Sequence, residues 1–145
     1  KITSDTVALN GLADIIFNTT QNIHVLRDPT RGGLATTLNE LARSADVGML
    51  IDEGKIPVSE EVKGACEILG LDPLYIANEG KLIIILPEEE ASRVVGAMKH
   101  HQAGAEASVI GRVISEHPGL VRMTTSIGSS RIVDMLTGDQ LPRIC

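Results

Sequence analysis

Residues 82–86 read Leu-Ile-Ile-Ile-Leu, five aliphatic side chains with no polar break. So short and branched a run is a strand, and its lack of alternation means that both faces are covered. The rest of the chain must supply the covering layers. Ala8, Leu12, Ile15 and Ile16 follow a helical period from about residue 5 to residue 20, with Ser4 or Asp5 as the expected N-cap. Residues 23–26 form a short apolar strand. Leu34, Leu38, Leu41 and Ala45 share one face of a second helix, and residues 49–51 a strand ended by the Glu53-Gly54 turn. Val62, Cys66 and Leu69 line a third helix over about 59–69, stopped by Gly70 and Asp72-Pro73. Pro87 opens a fourth, whose start, Glu88, Glu89 and Glu90, suits the macrodipole and should be solvated. Its inner stripe is Ala91, Val94, Val95 and Met98. Three more strands are expected near 108–115, 120–125 and 131–135. This order is α/β (α+β): a layered domain in which helices pack a mixed β-sheet.

The core of such a domain has to be aliphatic, because Phe17 and Tyr75 are the only aromatic residues among 145 and Trp is absent. That shortage argues against a site that stacks bases or sugars on aromatic rings. A net charge of −6 removes the electrostatic basis for general binding to nucleic acid or to an anionic membrane. No apolar run approaches the length needed to cross a bilayer. Two cysteines, Cys66 and Cys145, cannot build a disulfide framework and fit a reducing cytoplasm. The chain opens Lys1-Ile2-Thr3-Ser4-Asp5, with neither initiator methionine nor secretory signal, and reads as a piece cut from a longer protein. Residues 137–145 contain Gly and Pro without periodicity, so a mobile tail is expected to follow a domain of residues 1–136.

Three places could carry chemistry. In residues 28–33, two glycines at a helix start allow close backbone approach, and exposed N–H groups with the Arg31 fork favour an anion such as phosphate. A plain turn in which Asp28 or Thr30 caps the helix explains the same residues. Asn78-Glu79-Gly80-Lys81 precedes the buried strand, and Glu79 there is either a candidate general base or part of a simple turn. Cys145 on a flexible segment could enter an active site, carry a group and move on, or it is an inert thiol. A neighbouring carboxylate disfavours its thiolate, which a site would offset with a base or a cation such as Arg143. Cys66 faces an apolar stripe and reads as core. His100 and His101 read as favourable charges at a helix C-terminus. No His or Cys pair has metal-ligand spacing, so no metal site is expected in this chain.

Four segments are more specific than these spacings: Arg27-Asp28-Pro29-Thr30-Arg31-Gly32-Gly33-Leu34, the stretch Glu67-Ile68-Leu69-Gly70-Leu71-Asp72-Pro73-Leu74, Ala77-Asn78-Glu79-Gly80-Lys81, and Leu141-Pro142-Arg143-Ile144-Cys145. Together they resemble the C-terminal half of the HypE family of hydrogenase expression/formation proteins, relatives of aminoimidazole ribonucleotide synthetase. Family members commonly have His-Pro-Leu-Gly where His101-Gln102-Ala103-Gly104 stands here, and Gly-Gly at Ser129-Ser130. Both departures fall in expected loops.

The resemblance implies a layered C-terminal domain whose preceding half, outside this chain, holds most contacts to ATP and Mg2+ and much of a homodimer interface. It implies that Cys145 receives a carbamoyl group from a HypF-like carbamoyltransferase, and that ATP drives dehydration of the S-carboxamide to a thiocyanate. The cyanide then passes through a HypC–HypD-like complex to the iron of nickel–iron hydrogenase. On that basis Cys145 is the covalent carrier and Pro142, Arg143 and Ile144 steer it. Glu79 takes a proton from the carboxamide nitrogen, and Asp28, Thr30, Arg31, Gly32 and Gly33 lie near the nucleotide phosphates. The isolated domain is expected to be inactive. Two readings of other classes are a noncatalytic module whose tail docks to a partner, and a regulatory domain for a small ligand.

Overall fold

The computed structural model describes Ser4 and residues 6–135. Helices α1 (Asn10–Thr19), α2 (Gly33–Ser44), α3 (Glu60–Leu69) and α4 (Glu88–Met98) alternate with six strands. These are β1 (Val25–Arg27), β2 (Gly48–Asp52), β3 (Ile83–Ile85), β4 (Gly111–Ile114), β5 (Val121–Thr124) and β6 (Ser130–Ile132). The strands form an antiparallel β1–β3 ribbon and a four-stranded sheet in the order β4-β2-β5-β6. In that sheet β2 and β5 run parallel and the other pairs antiparallel, so the sheet is mixed, as the element order implied.

Two cores lie on either side of β3. In one, Ala35, Leu38 and Ala42 of α2 cover Met49, Ile51, Val121 and Met123 on the inner face of the large sheet, with Ile83 joining them. In the other, Leu12 and Ile16 of α1 meet Val94 and Met98 of α4, with Leu82, Ile84 and Leu86 packed against them. Successive strand side chains point to opposite faces. Ile83 and Ile85 therefore serve one core, and Leu82, Ile84 and Leu86 the other. The unbroken aliphatic run is the wall between two cores, and its double-sided covering is as expected.

Other elements depart from expectation for local reasons. Helix α1 begins at Asn10 behind Leu9, with no side-chain cap, and neither Ser4 nor Asp5 starts it. Val7 and Ala8 are exposed, so no burial offsets the entropy of ordering an earlier turn. Of the stripe expected on α2, Leu38 is buried and Leu34 and Leu41 pack half-buried against the core, whereas Ala45, beyond the helix end, is exposed and Ala35, Asn39 and Ala42 are buried instead. Helix α3 ends at the expected Gly70, which is left-handed, and Ser59 caps its start, but Leu69 is exposed and Cys66 is its one buried residue. His101 also caps the next turn: its Nδ1 accepts the Ala103 N–H at 3.1 Å at the start of Gln102–Gly104. Ser130 is the first residue of β6 rather than a loop residue.

The acidic start of α4 is only partly solvated. Glu88 and Glu89 are exposed, but the Glu90 side chain is 15% exposed. Its carboxylate accepts from the Thr20 hydroxyl, from Asn22 Nδ2 at 2.5 Å and from Arg93 Nη2 at 2.9 Å. Arg93 also donates to the Thr19 carbonyl, so this cluster joins the end of α1 to the start of α4. The Thr20 hydroxyl, then the Asn22 amide, hold the Glu90 carboxyl below its ordinary value of 4.5. A depressed native value contributes stability above the unfolded value and loses it as pH falls through the native one. Glu90→Gln should thus lower the melting temperature near neutral pH, and the gap from the parent should close in melts taken progressively below pH 4.5.

Candidate functional site

The antiparallel ribbon decides what meets what. Register pairs Arg27 with Ile83, so the C-terminal end of β1 lies beside the N-terminal end of β3. Residues 28–33 leave from the first end and residues 76–82 arrive at the second. The two candidate motifs are therefore brought together although about fifty positions separate them in sequence. The Asn78 N–H donates to the carbonyls of both Pro29 and Thr30, at 3.3 Å each, and Asn78 Nδ2 closes its own loop on the Ile76 carbonyl at 2.8 Å.

Gly33 makes the junction possible. A Cβ there would sit 2.5 Å from the carbonyl oxygens of Leu74 and Ile76, and its φ is +63°. Gly32 is also left-handed, at φ +71°, and turns its Cα toward the Thr36 hydroxyl. That hydroxyl is buried, with no hydrogen-bond partner among the described residues. The glycine pair thus starts α2 without a side-chain cap: neither Asp28 nor Thr30 fills that role. Asp28, Arg31 and Glu79 are exposed, Pro29 is buried, and Thr30 is half-buried. The junction combines an exposed carboxylate, an exposed guanidinium and a helix start whose N–H groups favour an anion.

A third piece adjoins this junction. The turn Pro73–Tyr75, which abuts Gly33, is capped by Asp72, whose Oδ1 accepts the Leu74 N–H at 2.9 Å. Asp72 Oδ2 also takes the Arg131 guanidinium at 2.6 Å, and the Tyr75 hydroxyl donates to the Asp134 carbonyl at 3.0 Å. Burial, then the Asp72 carboxylate, push the Tyr75 phenol above its usual range, so it stays a donor at neutral pH. Cys66 is 5% exposed, and burial with the nearby Asp72 charge raises its thiol in the same way, which leaves it an inert core residue. Residues 131–134 are tied to the segment that forms one wall of the junction. Sequence spacing did not indicate this convergence; pairing residues 23–26 with residues 82–86 would have.

Pro142, Arg143, Ile144 and Cys145 lie outside the described residues, as does the rest of the expected tail. Among the described residues no three His, Cys, Asp or Glu side chains form a group that could hold a metal ion. No helix among them is long and apolar enough to cross a membrane.

Residues 8–122 match the family described as AIR synthase related protein, C-terminal domain. The carbamoyl dehydratase HypE of Azotobacter vinelandii is 56% identical over 144 residues, covering 99% of this chain and 42% of that protein. The crystal structure of hydrogenase maturation protein HypE in complex with ATP superimposes with a TM-score of 0.93 at 46% identity, covering 100% of this chain and 44% of that one. The HypE–HypF complex gives a TM-score of 0.88 at 44% identity, over 93% of this chain and 44% of that one. The chain thus spans less than half the length of these relatives. The match across residues 8–122 and the shared fold establish that this chain belongs to the family of AIR synthase related protein C-terminal domains.

Proposed function

We propose that this chain is the C-terminal part of an ATP-dependent carbamoyl dehydratase acting in the maturation of nickel–iron hydrogenase. The observation that carries the reading is the junction of residues 28–33 with residues 76–80, built beside the point where the chain leaves toward Cys145. Similarity to carbamoyl dehydratase HypE over 99% of the chain supports the activity. The ATP complex of a HypE neighbour supports the nucleotide, and the HypE–HypF complex supports a HypF-like carbamoyltransferase as partner. A HypC–HypD-like acceptor complex, a homodimer and a cytoplasmic setting complete the proposal, with catalysis a property of the longer protein rather than of this domain alone.

In this reading the Cys145 thiol takes the carbamoyl group and becomes an S-carboxamide. An amide oxygen is a poor leaving group, and transfer of the ATP terminal phosphoryl group to it makes it a good one. Both nitrogen protons are lost as the C–O bond breaks, and a carbon–nitrogen triple bond remains on sulfur. Phosphate departs with the oxygen. Glu79 accepts one of those protons, a role suited to a carboxylate on a rigidly held loop. Arg31 and the N–H groups around Gly32 and Gly33 bind phosphate oxygens. Pro142, Arg143 and Ile144 guide the thiol. Met135 and Cys145 are ten residues apart, so the sulfur can reach at most ~33–36 Å from the last described residue.

Mass analysis of the peptide containing Cys145 tests the proposal on the full-length protein. Incubation with a HypF-like enzyme and its carbamoyl donor should add one carbamoyl group to Cys145, and ATP should then remove one water from it. A carbamoyl group found on another residue, or one that never loses water with ATP, would overturn the assignment and favour a docking role for the tail.

A further inference from the structure

Three separate attachments hold residues 131–134. Val133 is fully buried; its N–H donates to the Val121 carbonyl at 2.8 Å and its carbonyl accepts Asn39 Nδ2 at 2.7 Å. Asn39 is itself buried on α2 and also donates to the Ala35 carbonyl. This attachment is what a three-residue edge strand needs to end inside a core. The other two do something different. Arg131 and Asp134, on either side of Val133, both reach the segment 72–75 through the Asp72 ion pair and the Tyr75 hydroxyl. That segment is no part of either sheet. It is the turn whose carbonyls abut Gly33 and whose chain runs on into Asn78 and Glu79.

We propose that the Asp72–Arg131 ion pair and the Tyr75–Asp134 hydrogen bond are a clamp on the root of the tail, which makes Tyr75 and Arg131 positioning residues for the Cys145 thiol. The inference rests on the carrier reading of Cys145 and deepens it. A tethered group reacts at an effective concentration set by the length of its tether and by where the tether is anchored. With the clamp closed, the chain leaves toward Cys145 from residue 135, against the wall of the junction. With it open, Val133 still holds the strand end in the core, but the exit is no longer fixed to the 72–75 turn. The fold keeps its stability and the thiol loses its place.

The test reads position and chemistry separately. In the full-length protein, Ala77→Cys places a second thiol on the exposed loop residue before Asn78, and a glutathione redox buffer measures its effective concentration toward Cys145. Buried Cys66 does not compete. Tyr75→Phe combined with Arg131→Ala should lower that effective concentration by a factor of about two to five. Mixed-disulfide formation between the Ala77→Cys thiol and free glutathione should not change. An unchanged effective concentration overturns the clamp whether or not Cys145 carries a carbamoyl group. In an activity assay on proteins with native Ala77, the same double variant should slow ATP-dependent water loss from Cys145 in cis. A peptide of residues 137–145 offered in trans to a protein ending at residue 136 should react at the parent rate, and the KM for ATP should hold. Equal slowing in cis and in trans would make Tyr75 and Arg131 part of the junction itself and would also overturn the clamp. If the parent never modifies Cys145, the carrier reading fails, and the disulfide measurement still decides the clamp.

Discussion

Gly33→Ala will destabilise this chain by roughly 2–6 kcal/mol, a large share of the 5–15 kcal/mol typical of a domain. Two costs add. At φ +63° any side chain is strained, by about 1–3 kcal/mol. The new methyl would also lie 2.5 Å from two backbone carbonyl oxygens, those of Leu74 and Ile76, and relief requires moving the 74–76 segment, an overpacking cost of about 1–3 kcal/mol. Neighbouring glycines provide the controls. Gly32→Ala, also left-handed, would place its methyl against Thr36, within 3 Å of both the hydroxyl and Cβ, and rotation of that side chain moves the first but not the second, so this variant should be destabilised as well. Gly64→Ala in α3 meets nothing within 4 Å and should stabilise the protein by about 0.5–1 kcal/mol through helix propensity. Denaturant midpoints should therefore fall from Gly64→Ala to the parent and then to both Gly32→Ala and Gly33→Ala. If Gly33→Ala unfolded with the parent, the 74–76 segment would not be seated on residue 33, and the junction described above would be wrong. Where the variant stays folded, separation of the loops should expose the Asn78 N–H, which hydrogen exchange would detect as faster exchange at that amide.

The sequence was most legible where one residue type leaves one option. Five consecutive aliphatic residues at 82–86 have no polar face to turn toward water, so their covering on both sides followed directly. The Ser59 cap and the Gly70 stop follow from local chemistry alone, and α3 begins and ends where they are. The rotation of α2 was less legible. Leu34, Leu38 and Leu41 do meet the core, but the most deeply buried positions turn toward Ala35, Asn39 and Ala42 for a tertiary reason. Gly33 must face the carbonyls of residues 74 and 76, and Asn39 must reach the Val133 carbonyl. Glu90 was misread because a run of three glutamates at a helix start is normally solvated, and its partners Thr20 and Asn22 are some seventy residues away in sequence. The same limit applied to the site. Residues 28–33 and 78–81 each stood out by composition, but their meeting depends on the β1–β3 register, which no local pattern encodes.

Glu79→Gln separates a proton acceptor from a turn residue. Glutamine keeps the size and hydrogen-bonding reach of the side chain and removes its ability to take a proton. If Glu79 is the base, carbamoylation of Cys145 should proceed at the parent rate, because that step needs no proton from the carboxamide nitrogen. The later loss of water should slow by about 10²–10⁴-fold, the usual contribution of a positioned general base. The S-carboxamide would then accumulate, and mass analysis of the Cys145 peptide over time would show the carbamoyl adduct persisting with ATP present. The magnitude discriminates, since a loop role alone would act through geometry. Glu79 stands on a loop held in place by the Asn78 N–H bonds to Pro29 and Thr30, which are made by backbone atoms and do not depend on the side chain at position 79. Parent-like water loss from Glu79→Gln would therefore remove Glu79 from the chemistry and leave it as a turn residue. Slowing of both steps together would place it instead at the surface that meets the carbamoyl donor.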